Sequence, residues 1–200
     1  MLVALAVVVG ILATRGPVGT AARADRNGNV APATTAASAS PEPSVTPVPS
    51  GVAAPLRVQV PAVGLDAAVV PITPTGGELD PPRLDRAYWI ESYGSPGPDA
   101  DNTVYLAGHS VDRGAAVFDP LFDQEAQTAL VKSGDEVTIT TDAGAVTYVV
   151  DETQRYPKSQ LASEAEVWRI VPGRLVLITC FQRSDGGRST DNLVVYATRT

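Results

Sequence analysis

The 200-residue chain contains only one cysteine and one histidine. With one cysteine, no disulfide can form within the chain, and thiolate-rich metal sites are excluded. A lone histidine leaves zinc short of its usual three or four protein ligands unless carboxylates supply the rest. We therefore expect no structural metal.

Aromatic residues and positive charge are also scarce. Two tryptophans and three phenylalanines leave the core to Val, Leu, Ile and Ala, and valine-rich patterning favours β structure. The formal net charge is −7, whereas phosphate binding relies on clustered Lys and Arg. The composition therefore argues against a nucleic-acid partner.

Two segments precede the part of the chain whose sequence pattern predicts a folded domain. Residues 2–13 are apolar apart from Gly10, but a spanning helix normally needs about 20 such residues. We interpret 1–22 as a signal segment or the remainder of a membrane anchor. Residues 23–55 are dominated by Ala, Thr, Ser, Pro and Val, which predicts a disordered stalk. Either interpretation places 56–200 outside the membrane.

Residues 56–200 contain short apolar runs separated by glycine and proline. The runs on either side of residues 142–144 alternate with a period of two, which is typical of a hairpin. Helical candidates are limited to a turn near 119–130 and a stretch at 160–169. The predicted strands are 56–60, 67–72, 102–108, 135–141, 145–150, 174–180 and 192–198. This pattern predicts a mostly β fold that closes, or nearly closes, into a barrel.

Cys180 ends the apolar run RLVLIT and precedes the polar loop FQRSDGGRSTDN. The end of a core strand gives a nucleophile a fixed backbone and access to substrate. A free cysteine is often only a small buried apolar side chain. An unpaired thiol outside the cell, however, is open to oxidation and mispairing, so its presence favours a functional role.

His109 has a matching position, because it follows the apolar run NTVYLAG. Imidazole can act both as the base that forms a thiolate and as the acid that protonates a leaving amine. Attack on an amide carbonyl also needs donors for the oxyanion, and a guanidinium can supply them. Arg183 and Arg188 both lie between Cys180 and the last predicted strand, so either can supply these donors.

Taken together, these motifs resemble those of a sortase. The chain has AGHSVD around the histidine, then AVFDPLF, then LITC ending at Cys180, and DNLVVYA in the last strand. The resemblance covers 56–200 and is closest to the actinobacterial sortases of classes E and F. It implies a closed β-barrel of about eight strands with one or two short helices, and a Cys–His–Arg site.

Carried over to this chain, the resemblance implies that Cys180 is the nucleophile and His109 the general acid and base. In many sortases the arginine directly precedes the hydrophobic residues of the last strand, a position held here by Asn192. Arg188 has the same strand parity as Asn192 if the residues between them are extended, so it is the preferred match. Arg183 is the alternative.

Several neighbouring polar residues are further candidates. Thr179 precedes the nucleophile as in the family's TLxTC pattern, where it lies near substrate, but it is also an ordinary β-branched strand residue. Asp112 can position His109 or cap its loop. Asp191 and Asn192 are expected to shape the turn that enters the last strand.

The function that the resemblance implies is a cysteine transpeptidase without a cofactor, at the extracytoplasmic face of the cell membrane. The thiolate attacks the Thr–Gly bond of an LPxTG-like sorting signal on a surface protein and forms an acyl-enzyme. An amine of a peptidoglycan precursor or of a pilin then resolves it. Two alternatives stay open: a hydrolase that uses water as the acceptor, and a surface binding module that kept the barrel without catalysis.

Overall fold

The computed structural model describes residues 54–75 and 79–200. The predicted segment 1–22 and nearly all of the predicted stalk 23–55 lie outside these residues. Within the described residues, no helix is long and apolar enough to cross a membrane. The same part of the chain contains no cluster of His, Cys, Asp and Glu that could hold a metal ion.

The described residues form ten strands and two short helices. The strands are β1 (Pro55–Val60), β2 (Leu65–Ile72), β3 (Ala87–Ile90), β4 (Thr103–Ala107), β5 (Phe122–Asp123), β6 (Thr128–Ala129), β7 (Glu136–Thr141), β8 (Gly144–Pro157), β9 (Arg174–Phe181) and β10 (Asp191–Arg199). The helices are α1 (Lys158–Leu161) and α2 (Ala165–Trp168), and 3-10 turns lie at Pro61–Val63 and Asp119–Leu121.

Eight of the strands close into a barrel in the order β1-β2-β3-β4-β9-β10-β8-β7. The pairs β2–β3 and β4–β9 are parallel, and the other pairs are antiparallel. Strands β5 and β6 form a separate two-stranded sheet. The predicted mostly β fold, a closed barrel of about eight strands with short helices, is confirmed.

The hairpin between β7 and β8 is the local feature that the sequence indicated most clearly. Thr141 pairs with Gly144, so Asp142 and Ala143 form a two-residue loop. Gly144 has a φ of 129°, a conformation that residues with a Cβ rarely adopt. The alternating run on each side of this loop becomes a strand with one face buried.

Strand β9 is buried on both faces, which explains its nearly continuous apolar sequence. Leu175, Leu177 and Phe181 pack into the barrel core. Val176, Ile178 and Cys180 face the other way, into a second cluster that we call the outer cluster. The outer cluster consists of Leu79, Ile90, Tyr105, Ala107, Tyr156, Leu161, Val167, Val176, Ile178, Cys180, Val194 and Tyr196.

Three parts of the fold differ from the sequence prediction. Strand β3 was not predicted, because a four-residue run shows too little periodicity to be distinguished from other short apolar runs. Strand β8 continues to Pro157, through polar and mostly exposed residues that lack an apolar signal. The predicted helical region at 119–130 contains one 3-10 turn and then the β5–β6 pair.

Candidate active site

The parallel pairing of β4 with β9 brings His109 and Cys180 together. Ala107 lies opposite Ile178, and the Gly108 amide donates to the Ile178 carbonyl at 3.1 Å. His109 and Cys180 each lie two residues further along. Because side chains alternate along a strand, Cys180 is on the face of Ile178, and His109 directly follows the adjacent end of β4.

Hydrogen bonds from buried side chains fasten the loop after β4 to the end of β9. The Ser110 hydroxyl donates to the Cys180 carbonyl. The Gln182 side-chain amide donates to the Ser110 carbonyl at 2.7 Å and lies 3.2 Å from Ser110 Oγ. Sequence reasoning missed Ser110 and Gln182; the only available signal was that they flank the predicted pair in sequence.

A backbone carbonyl orients the ring of His109, which is 4% exposed. Nε2 lies 2.6 Å from the Pro81 oxygen. A carbonyl can only accept a hydrogen bond, so Nε2 carries the proton and the lone pair of the neutral ring is on Nδ1. In the neutral form of His109, Nδ1 is therefore the acceptor nitrogen.

The loop after His109 is held by a close backbone approach and by one carboxylate. A Cβ at Gly108 would lie 2.6 Å from a ring carbon of Phe118, so only glycine fits directly before the histidine. Asp119 accepts hydrogen bonds from the amides of Val111, at 2.8 Å, and Ala116, at 2.6 Å. Burial raises the pKa of Asp119, and the two amide bonds oppose that shift.

The thiol lies under a cover of other residues, and Cys180 is 3% exposed. Leu79 is completely buried in the outer cluster, which also contains Cys180. Pro81, two residues further on, holds the His109 ring. The segment that leads into β3 therefore contributes to the cluster that buries the thiol, and it orients the histidine.

Asn192 lies directly opposite Cys180 in the β9–β10 ladder. Residues opposite each other in a ladder share a face, so the Asn192 side chain is on the side of the sheet that carries the thiol. It is 1% exposed, and neither Nδ2 nor Oδ1 has a hydrogen-bond partner among the described residues. An unsatisfied carboxamide is therefore a direct neighbour of Cys180.

The two predicted arginines lie in the loop between β9 and β10, and both are exposed or partly exposed. Arg183 forms an ion pair with Asp185, with Nε 2.9 Å from Oδ1. The hydrogen bonds in this pair raise the pKa of Arg183 and lower the pKa of Asp185 to about 2. The Arg183 guanidinium is thus already engaged.

Arg188 lies on the wall of a cleft of about 470 Å³ beside the strand ends. The cleft is lined by Asp112, Arg113, Gln182, Gly186, Gly187, Arg188 and Ser189. Gln182 connects this cleft to the loop of His109 through Ser110. The structure therefore places Arg188 and Asp112 at the edge of the site, whereas the ladder places Asn192 opposite Cys180.

Thr179 lies on the other face of β9, toward the barrel interior, by the alternation of side chains along the strand. It is completely buried, and its hydroxyl has no partner among the described residues. The structure thus does not bring the Thr179 side chain to the face of β9 that carries Cys180.

The comparisons with known proteins agree with this fold. A family model described as a sortase domain matches residues 58–200. The fold is similar to sortase A from Listeria monocytogenes, at 22% identity and a TM-score of 0.52, covering 75% of this chain and 88% of that one. It is also similar to sortase C-1 from Actinomyces oris, at 22% identity and a TM-score of 0.51, covering 72% of each chain. Sortase C1 of Streptococcus agalactiae, in complex with MTSET, is 19% identical with a TM-score of 0.54, covering 74% of this chain and 70% of that one. No curated protein sequence matches the chain significantly.

Because the sortase-domain match spans more than half of the chain, this protein belongs to the sortase family. Sortases are cysteine transpeptidases, and Cys180 is the only cysteine here, so the predicted enzyme class is confirmed. The finer assignment to classes E and F stays a prediction.

Proposed function

We propose that this sortase cleaves an LPxTG-like sorting signal after threonine and transfers the acyl group to an amine, with Cys180 as nucleophile and His109 as general acid and base. One observation carries the proposal. The pairing of β4 with β9 brings the only cysteine and the only histidine of the chain to the ends of adjacent parallel strands.

The proposed reaction begins when Nδ1 of His109 takes the proton from the Cys180 thiol. The thiolate adds to the carbonyl carbon of the Thr–Gly bond, and an oxyanion forms on the carbonyl oxygen. When this intermediate collapses, the C–N bond breaks and His109 protonates the leaving amine. A new amine then attacks the thioester and gives its proton to His109, and Cys180 leaves as the thiolate.

For the charged donor of this site we propose Arg188. It lines the cleft beside the strand ends, together with Gln182, which is bonded to the loop of His109. Arg183 is the weaker alternative, because Asp185 already binds its guanidinium. Thr179, as the chain neighbour of the nucleophile, is proposed to lie near substrate through its backbone, since its side chain faces the barrel interior.

The substrates and the location are also proposals. The donor is a surface protein with a C-terminal sorting signal, and the acceptor is an amine of a peptidoglycan precursor or of a pilin. We propose that the enzyme works at the extracytoplasmic face of the cell membrane. The apolar run within 1–22 would hold it there, and the Pro/Ala/Thr/Ser-rich stalk of 23–55 would space the barrel from the surface.

The test incubates the full-length chain, in mild detergent, with a panel of LPxTG-like peptides in the presence and absence of a primary amine. Mass spectrometry should show a product cut after threonine and joined to the amine, and this product should be absent with Cys180→Ala. Parallel Arg183→Ala and Arg188→Ala variants decide between the two arginines. Cleavage without transfer of the acyl group to the amine would indicate a hydrolase. A folded protein that cleaves nothing and has an unreactive thiol would favour the binding module.

A further inference from the structure

Asn192 is a buried polar residue without a structural partner. Three other buried polar residues near the site are bonded: Ser110 to the Cys180 carbonyl, Gln182 to Ser110, and Ser189 to the Phe181 carbonyl at 2.8 Å. The Thr179 hydroxyl also lacks a partner, but it faces the barrel interior and not the thiol. Both polar atoms of the Asn192 carboxamide lack a partner among the described residues. A buried amide in this condition destabilises the fold, and an apolar side chain of the same size would not.

The position of Asn192 suggests what the missing partner is. Its strand neighbours are Cys180 on β9 and Tyr156 on β8. Val194, two residues further on and on the same face, belongs to the apolar outer cluster. The Asn192 carboxamide thus lies opposite the thiol and beside apolar side chains. A polar group of the bound substrate can therefore become its hydrogen-bond partner.

Arg174, Arg183 and Arg188 leave this position to Asn192. Arg155 stacks on Phe181 and pairs with Asp191. Arg174 is buried on the same face of β9, but it lies six residues from Cys180, roughly 20 Å along the strand. Its guanidinium is bonded to Glu166 and to the Val167 carbonyl. Arg183 is paired with Asp185, and Arg188 lies on the loop beyond β9. None of them is opposite Cys180 in the ladder.

We propose that Asn192 is a catalytic residue whose Nδ2–H donates to the oxyanion that forms when the Cys180 thiolate adds to the scissile carbonyl. The inference rests on the proposed function. A neutral donor in a buried site stabilises developing charge strongly, because no water competes for it and its orientation is fixed before the reaction. The free Oδ1 accepts from a backbone N–H of the bound peptide and holds the carboxamide in place. Arg188 adds positive charge from the edge of the cleft.

The test compares the full-length wild type with Asn192→Leu, which keeps the side-chain size but removes both polar atoms. With the LPxTG-like peptide that the wild type cleaves, we expect kcat to fall about 100-fold, the usual cost of one oxyanion donor. The melting temperature should not fall, because the variant removes an unsatisfied buried amide, and the rate of Cys180 alkylation should stay close to wild type. The fall in kcat should exceed any rise in KM that follows from losing the Oδ1 contact. Asn102→Leu is the matched control, because Asn102 also has an unpartnered buried Oδ1. Asn102 precedes β4, at the end of that strand away from His109, so the kcat of Asn102→Leu should equal that of the wild type.

Asn192→Asp is a second variant in case Asn192→Leu does not fold. An ionised carboxylate cannot donate, whereas a protonated carboxyl can. The ratio of its kcat to that of the wild type should therefore rise as the pH is lowered. A merely structural role would give a ratio that does not change with pH.

The outcomes separate this inference from the proposed function. If the wild type cleaves the peptide and folded Asn192→Leu cleaves it equally fast, the inference is wrong and the proposed function stands. If Asn192→Leu slows alkylation as much as turnover, Asn192 acts on the thiol rather than on the oxyanion, and the inference is again wrong. If the wild type cleaves no peptide of the panel, the proposed function fails and the inference falls with it.

Discussion

At the scale of single residues, the site depends on backbone carbonyls as much as on reactive side chains. The Pro81 carbonyl fixes the tautomer of His109, and the Cys180 carbonyl receives the Ser110 hydroxyl. These two hydrogen bonds help to determine where Nδ1 and Sγ lie, because one holds the imidazole ring and the other joins the loop of His109 to the end of β9. Preorganisation of this kind is what a nucleophile and its base require.

Ser110→Ala tests this role of the Ser110 hydroxyl. Without it, the loop of His109 keeps the Gln182 bond to the Ser110 carbonyl but loses the bond from its own side chain to the end of β9, and we expect kcat/KM to fall on the order of tenfold. Stability should fall by about 1 kcal/mol, the net value of one hydrogen bond. Steady-state kinetics and urea unfolding measure the two effects. Ser159→Ala, at an exposed position on α1, is the control and should change neither. Wild-type kinetics for Ser110→Ala would show that the contact has no catalytic role.

At the scale of elements, two segments shape the site: the loop after β4 and the segment that leads into β3. The first is tied together by the Phe118 amide, which donates to the His109 carbonyl at 3.0 Å, and by Asp119. The second supplies Leu79 and Pro81. Neither segment is a regular strand or helix, yet each positions a group that the chemistry uses.

The contribution of Asp119 to the stability of the fold depends on pH. Because burial raises its pKa above the ordinary value of 3.8, the folded chain keeps this proton to a higher pH than the unfolded chain does. The stability that the protonated carboxyl contributes is therefore lost as the pH rises from 3.8 through the raised pKa. The carboxamide of the Asp119→Asn variant does not titrate. Relative to wild type, the free energy of unfolding of Asp119→Asn should thus rise with pH across this window, as measured by urea unfolding at a series of pH values. A difference that stays constant with pH would contradict the raised pKa.

Leu79→Ala tests the covering role of the second segment. Truncating this buried side chain opens the outer cluster beside Cys180, so we expect alkylation of the thiol by a small reagent to become several-fold faster. Leu161→Ala is the matched control, because Leu161 is equally buried in the same cluster but lies on α1. Both changes should destabilise the fold by about 2–5 kcal/mol. Equal acceleration in the two variants would mean that the thiol reacts through general loosening and not through loss of the cover.

At the scale of the whole molecule, the sequence predicted the architecture, because strands and turns depend on local patterns. Alternation and punctuation by glycine and proline indicated seven strands of the barrel. The single cysteine and the single histidine at strand ends indicated the proposed reactive pair. The sortase resemblance supplied the eight-stranded closure, and the family match confirms the assignment.

The rest of the site depends on register between distant strands, which no local pattern encodes. The sequence alone indicates only that Asn192 replaces an arginine, whereas the ladder places it opposite Cys180. The Pro81 contact joins positions 28 residues apart, and the contributing group is a carbonyl that every residue has. The side-chain direction of Thr179 likewise depends on which face of β9 lines the barrel, and the apolar run is the same for both faces.

The role of Cys180 as nucleophile is tested by the intact mass of the protein after brief mixing with an LPxTG-like peptide, without an amine, followed by digestion to locate the adduct. We expect an acyl adduct ending in threonine, attached to Cys180 and released when an amine is added. Cys180→Ala should stay unmodified. A peptide cleaved without any adduct on Cys180, or cleaved equally well by folded Cys180→Ala, would contradict the assignment of this thiol as the nucleophile.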